Sequence, residues 1–441
     1  MPHKVRIIIL SVVVLSATLS CSSKVSLDHL LSPKSPYEQY VSSLNQASLE
    51  QTLLGKNWLD AGKKSLSDSL YVNLPHSEIG YFTDDRPSAI SFRFTAQKGQ
   101  SIQIILATDY SDSVKFFLDV FAVDNNDFTP IVSADTLRNI SYEVKKTGVN
   151  VLRLQPELLV DGGYKLQILA KPTLSFPVSG KNSRAVGSFF GDPRDGGKRS
   201  HRGIDIFAPK GTPVVAAHAG IVTPKTSSGL GGKVVWLSSF SKKFNQYYAH
   251  LDSQAVTPGQ RVSRGDTLGF VGNTGNARFT PPHLHFSIYA FGQGAIDPYP
   301  FVASNDARGE ALAVDVNLVG SEARIQSALA NVRQTPTTQS AILQTATQNT
   351  PVHITGGTGK WYRAQLPDGT LGFIHQSLVQ SLNSSIDNLL VTSSHQPFST
   401  LNPKRPILQL WEGQQVTVLG VYESHWYVET TTGERLWMQG T

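Results

Sequence analysis

The chain has 441 residues, 40% of them apolar, which is enough for several cores and too long for a single one. One cysteine excludes an intrachain disulfide, so the fold must rest on apolar burial and backbone pairing. With 39 basic against 33 acidic residues the formal charge is +6; no Lys/Arg run is dense enough for nucleic acid, and a basic surface beside an acidic wall or lipid is the simpler account.

In chain order, residues 1–20 read as a signal peptide: Lys4 and Arg6, an apolar run from Ile7 to Leu19, and the small Ser20 before Cys21. The run is shorter than the ~20 residues of a comfortable membrane span. Thr18-Leu19-Ser20-Cys21 loosely resembles a bacterial lipobox, and by that resemblance the mature chain begins at Cys21 and is held to a membrane by lipid, facing the periplasm or exterior. Residues 21–57 form a spacer. Within it Ser35-Pro36-Tyr37-Glu38 is a capping box with proline at the first helical position. Tyr37, Tyr40, Val41 and Leu44 then share one face, so a short helix ending before Gly55 is expected, either packed on a neighbour or serving only as a spacer.

Residues 58–172 predict an antiparallel β-sandwich. Ile90, Phe92 and Phe94 alternate with polar residues, Lys98-Gly99 turns the chain, and Ile102, Ile104 and Leu106 alternate again. Further strand signals lie at Val114 to Phe121 and at Tyr164, Leu166 and Ile168.

Between 178 and 305 the chemistry-bearing residues concentrate. Five of the 12 histidines fall here: His201, His218, His250, His283 and His285. His201-Arg-Gly-Ile-Asp205 and His283-Leu-His285 each place their end residues on one side of an extended chain, because strand side chains alternate with period 2. Two imidazoles and one carboxylate supply three protein ligands, which for tetrahedral zinc leaves a fourth position for water. Such a water has a pKa near 7, and the metal polarises a carbonyl. A further imidazole suits the proton transfers because its pKa lies near the operating pH. Tyr247-Tyr-Ala-His250-Leu, after the apolar Val234 to Leu237, adds one more histidine to the segment.

This combination resembles the lysostaphin/LytM-type zinc metallopeptidases (duplicated hybrid motif fold), whose pattern is His-x3-Asp, a His in a Tyr-x-His-Leu context, then His-x-His. The resemblance covers roughly residues 180 to 300 and includes Gly203 to Val214, Gly272-Asn-Thr-Gly275 and His283-Leu-His-Phe286. It implies His201, Asp205 and His285 as Zn2+ ligands and His250 and His283 as catalytic histidines. Ser287 stands where relatives often carry a carboxylate, and Pro281 replaces a common glycine. His218 reads as a strand-end surface residue rather than a fourth ligand. Val256 to Val271 resembles the hairpins of biotinyl and lipoyl carriers, but no lysine sits at a tip, so it speaks only to β architecture. The loops Gly191–Ser200 and Asn276–Pro282 are expected to wall a groove.

The C-terminal third repeats itself. Pro351-Val-His-Ile-Thr, Lys360-Trp-Tyr362 and Gly372-Phe-Ile374 line up with Gln415-Val-Thr-Val-Leu, His425-Trp-Tyr427 and Leu436-Trp-Met438. The repeat resembles tandem bacterial Src-homology-3-like barrels, at 320–381 and 386–441. Trp361, Tyr362, Trp426 and Tyr427 either stack on wall peptides or sugars, or fill the two small cores.

The expectation is a mainly β, multidomain chain: a β-sandwich accessory domain, an antiparallel β metallopeptidase domain and two small barrels. The resemblance implies a lipid-anchored zinc endopeptidase of the cell envelope acting on peptidoglycan cross-link or stem peptides. A silent scaffold or amidase activator of the same fold, and a protease of secreted proteins, are the alternatives. The sandwich would be a spacer, bind glycan, or cover the active site until displaced.

Overall fold

The computed structural model describes residues 33–439 apart from 85, 111–113, 137–138, 224–226, 305–310 and 393–409. The N-terminal apolar run and Cys21 lie outside the described residues, among which no helix is long and apolar enough to cross a membrane.

Helix α1, Pro36–Gln46, starts at the expected capping box: Ser35 Oγ accepts the Glu38 N–H at 3.2 Å, and Glu38 accepts the Ser35 N–H at 2.8 Å. A second helix, α2 (Leu53–Ser67), runs through Gly55 and was not anticipated, since two internal glycines weaken helix propensity. Gly62 has a packing reason: a Cβ there would lie 2.3 Å from the Tyr37 hydroxyl and 2.5 Å from Gln155, so only glycine lets α2 approach α1 and the sheet this closely. Tyr37 stacks on Trp58 at 5.1 Å, both meet Phe117, and the Trp58 indole donates to the Pro156 carbonyl at 2.8 Å. Arg153 sits 3.6 Å over the Tyr37 ring and pairs with Asp119 at 2.7 Å. Of the two possibilities for the first helix, packing on a neighbour is the one realised.

The helices lie on a two-sheet sandwich. One sheet takes the order Leu70–Tyr71, Ile90–Ala96, Gly148–Pro156, Phe116–Asp124, Asp127–Ala134. The other contains His76–Phe82, Gly162–Pro172, Gln100–Thr108 and Asn139–Glu143. The alternating residues Phe92, Phe94, Ile102, Ile104 and Leu106 meet Leu152, Leu154, Leu166 and Ile168 in the shared core.

The second sheet continues across a domain boundary. Strand His76–Phe82 pairs on its far side with Pro351–Thr358 of the first C-terminal barrel, in the register Ile79↔Gly357 and Gly80↔Gly356. Beneath the junction Arg363 pairs with Glu78 at 3.1 Å, both buried, and Tyr164 bridges them through its hydroxyl at 2.8 Å to each. Sandwich and barrel therefore form one platform, and residues 178–305 leave it and return. Phe301 of that excursion lies where a Cβ on Gly99 would fall, 2.4 Å away. Lys242 pairs with Glu143 of the sandwich.

The second repeat folds as a four-stranded sheet, Asp387–Leu390, Gln415–Tyr422, His425–Thr430 and Arg435–Gln439. Trp361, Tyr362 and Tyr427 are buried and Trp426 is half-buried, so these aromatics serve the cores. Trp361 packs with Phe373 and with Leu70 of the sandwich.

The excursion is built on a sheet in the order Val186–Ser188, Ile204–Phe207, His283–Ala290, Phe244–Gln254, Gly232–Ser239, Gly220–Val222, Arg261–Val262. Ile204, Ile206, Leu284, Phe286, Ile288, Tyr248, Val235 and Leu237 turn to its core. Asp205, Phe207, His283, His285, Tyr289, Tyr247 and Trp236, which alternate with these, face the other way, onto a cleft.

Candidate metal centre

Antiparallel pairing sets Asp205 opposite His285 and Phe207 opposite His283. With Leu284 and Phe286 in the core, His283 and His285 share the cleft face, as the period of 2 requires. The same reasoning does not account for His201. That residue lies on the loop before strand Ile204–Phe207, and the chain bends at Gly203 to bring it over the sheet. A Cβ on Gly203 would come within 2.4 Å of the Phe286 carbonyl oxygen and of Ser287 Oγ, so this close approach demands glycine.

His250 reaches the cleft by breaking the strand's alternation. Tyr248 and Leu251 are core residues and Ala249 pairs with His285, so regular pleating would turn His250 toward the core. It instead adopts φ +62°, at the register shift opposite Lys233–Val235, and its imidazole turns into the cleft. Its N–H is satisfied by the Gly231 carbonyl at 2.8 Å.

Three electron-rich atoms converge. His201 Nε2 lies 3.1 Å from Asp205 Oδ1 and 3.0 Å from His285 Nδ1, and that Nδ1 lies 2.9 Å from the same Oδ1. The outer atoms are each held. His201 Nδ1 donates to the Phe189 carbonyl at 2.8 Å, His285 Nε2 lies 2.8 Å from Ser287 Oγ, and Asp205 Oδ2 accepts from Arg194 at 2.9 Å. With each outer nitrogen as the donor, both inner nitrogens carry lone pairs, and two lone pairs facing a carboxylate at this range call for a cation between them. The donor set of two imidazoles and one carboxylate fits a zinc ion.

The other two imidazoles flank this trio. His250 Nδ1 donates to the Thr274 carbonyl at 2.9 Å and His283 Nδ1 to the Pro281 carbonyl at 2.9 Å, which leaves Nε2 of each as the acceptor. Their ring centroids stand 5.0 Å apart, and His283 Nε2 is 4.0 Å from Asp205 Oδ1. Burial, reinforced by neighbouring His283 and His285, pushes the His250 pKa down to about 4. Burial lowers His285 as well. For Asp205 in the metal-free site, burial raises the carboxyl pKa, but protons that His201 and His285 can then direct at it outweigh burial and hold the group well below the usual carboxylate range.

Sequence and structure thus agree on the company of His201, Asp205, His250, His283 and His285, while His218 lies outside the cleft. Arg194 and the carbonyls of Phe189 and Thr274 carried no signal, since they contribute through long-range contacts outside any motif. The cleft, about 770 Å³, has its lining wholly within residues 188–289, and that lining includes Trp236, Tyr247 and Tyr289 as well as Arg199 and Arg202. Among the described residues the sandwich contributes none to this lining.

Residues 199–298 match peptidase family M23, and residues 327–380 match the bacterial SH3 domain. An L-Ala--D-Glu endopeptidase of Bacillus subtilis (strain 168) is 34% identical over 137 residues, which is 29% of this chain and 42% of that protein. The DD-carboxypeptidase/endopeptidase Mpg of Neisseria meningitidis serogroup B is 41% identical over 132 residues, 30% of this chain and 28% of that protein. The catalytic domain of the antimicrobial peptidase lysostaphin from Staphylococcus simulans, a solved structure, is 34% identical with a TM-score of 0.24, covering 26% of this chain and 90% of that one. The chain spans less than half the length of these two curated relatives.

Proposed function

From residues 199–298 being a peptidase family M23 domain and residues 327–380 a bacterial SH3 domain, we propose that the chain is a zinc-dependent endopeptidase hydrolysing peptide bonds in peptidoglycan cross-links or stem peptides. The single observation that carries this reading is the convergence of His201 Nε2, Asp205 Oδ1 and His285 Nδ1 beside two further imidazoles.

In this reading His201, Asp205 and His285 hold the metal. A zinc ion held there would supply a Lewis acid for the scissile carbonyl and lower the pKa of a water. His250 and His283 perform the proton transfers. Each presents Nε2 to the cleft with its other nitrogen anchored to a backbone carbonyl, so neither ring has to rotate to act. One takes a proton from the attacking water, and the other gives one to the departing amine. The low pKa of His250 keeps it neutral near pH 7, with Nε2 open to accept a proton. The aromatic floor of Trp236, Tyr247 and Tyr289 offers an apolar bed for the peptide on one side of the metal.

Relatives named peptidoglycan DD-endopeptidase, ShyC and ShyA of Vibrio cholerae, support the wall as substrate, and the N-terminal sequence through Cys21 supports lipid anchoring at the cell envelope. The test is release of peptide fragments from purified peptidoglycan, identified by mass, by zinc-loaded wild type, by His283→Ala and by His285→Ala. Fragments from the wild type alone are expected. Silence from zinc-loaded wild type would favour a scaffold of the same fold.

A further inference from the structure

The turn before His201 contacts two of the three converging donors. Arg194 donates from Nη2 to Asp205 Oδ2 at 2.9 Å and also to Ser188 Oγ. Ser188 Oγ donates in turn to Asp192 Oδ2 at 3.0 Å, and that oxygen accepts the Phe189 N–H at 2.7 Å. The same turn holds His201 at both ends: the Phe189 carbonyl accepts from its Nδ1 at 2.8 Å and the Asp192 carbonyl from its backbone N–H at 2.8 Å. Residues 188–194 are thus a single hydrogen-bonded unit that reaches His201 and Asp205 together.

We infer that Arg194 is a positioning residue for the metal. By occupying Oδ2 it leaves Oδ1 as the carboxylate atom facing His201 and His285, and so sets metal affinity and ligand geometry. The inference rests on the metal-site reading above. Two effects oppose one another when Arg194 is removed. Loss of a positive charge close to the site favours a bound cation. Loss of the anchor lets the carboxylate turn about its own axis and present either oxygen. Outer partners of metal ligands typically contribute tenfold to a hundredfold in affinity, while the charge of a partly exposed side chain is partly screened by solvent. The Arg194 side chain is 28% exposed, so anchoring prevails over charge.

The test uses the full chain and zinc or cobalt(II) alone as the probe. Competition with a chromophoric chelator should show zinc binding weakened about tenfold to a hundredfold by Arg194→Ala, and severalfold by Ser188→Ala, with Arg194→Lys restoring most of the loss. The visible spectrum of the cobalt(II) form should change in Arg194→Ala and return toward wild type in Arg194→Lys. A role confined to holding the loop would lower the melting temperature and leave affinity and spectrum unchanged. Unchanged or tighter zinc binding by folded Arg194→Ala would overturn the inference. Should Arg194→Ala fail to fold, Ser188→Ala decides in the same way. A wild type that binds no zinc overturns the metal-site reading itself, a result distinct from a wild type and variant that bind equally.

Discussion

Asp205 and His285 face each other across an antiparallel strand pair, with Oδ1 and Nδ1 2.9 Å apart, while His283 two positions earlier faces the ring of Phe207 at 5.2 Å. One register thus gives two histidines of the same face different company. Replacing His285 with alanine should abolish stoichiometric zinc binding, whereas His283→Ala should retain the metal; both should lose hydrolysis. Metal content after dialysis, read beside fragment release, checks the split. Retention of zinc by His285→Ala would reject the ligand assignment.

Ser287, at a position where members of the resembled family often carry a carboxylate, is buried and lies 2.8 Å from His285 Nε2. Its hydroxyl keeps the proton on Nε2 and the lone pair on Nδ1. Ser287→Ala should weaken zinc binding about tenfold and, by leaving a buried N–H unpaired, cost roughly 1–3 kcal/mol of stability. Chelator competition and denaturant unfolding measure the two effects separately.

Glu78 and Arg363 bind the sandwich to the first barrel without contact with water. Arg363→Leu removes the guanidinium partner of the buried carboxylate and should cost about 3–5 kcal/mol. Adding Glu78→Leu to the same chain should recover much of that loss, since the pair together carries the desolvation cost. Urea unfolding of the single and double variants would show it. A double variant no more stable than the single would contradict this account of the junction.

The metal-free chain should lose stability in mild acid. His250 titrates at about 4 when folded, against an ordinary 6.5 when exposed, so the unfolded chain takes up the proton first. Its contribution is fully present above pH 6.5 and is lost as pH falls from there toward 4. Asp205, also lowered, adds a loss below the ordinary carboxylate value of 3.8. Melting temperatures from pH 8 to 4 in the presence of chelator should fall through the histidine window, and His250→Ala should flatten that fall. A wild-type curve already flat across it would count against the assignment.

What the sequence determined by itself was local. Alternation put His283 and His285 on one face and Leu284 and Phe286 on the other, because the side-chain period of a strand follows from its backbone alone. The Ser35 capping box likewise needed only four neighbouring residues. The tertiary structure decided whatever depends on atoms distant along the chain. His250 enters the site only through a left-handed backbone at a shift in register, against the alternation of its own strand. Helix α2 runs through two glycines because Tyr37 and Gln155 leave no room for a side chain at Gly62. Sandwich and barrel share a sheet because Ile79 and Gly80 meet Gly357 and Gly356. Arg194 and Asp205 are joined by one hydrogen bond that no motif contains. Period and capping are written within a few residues; partners across a fold are chosen by packing, which only the folded chain assembles.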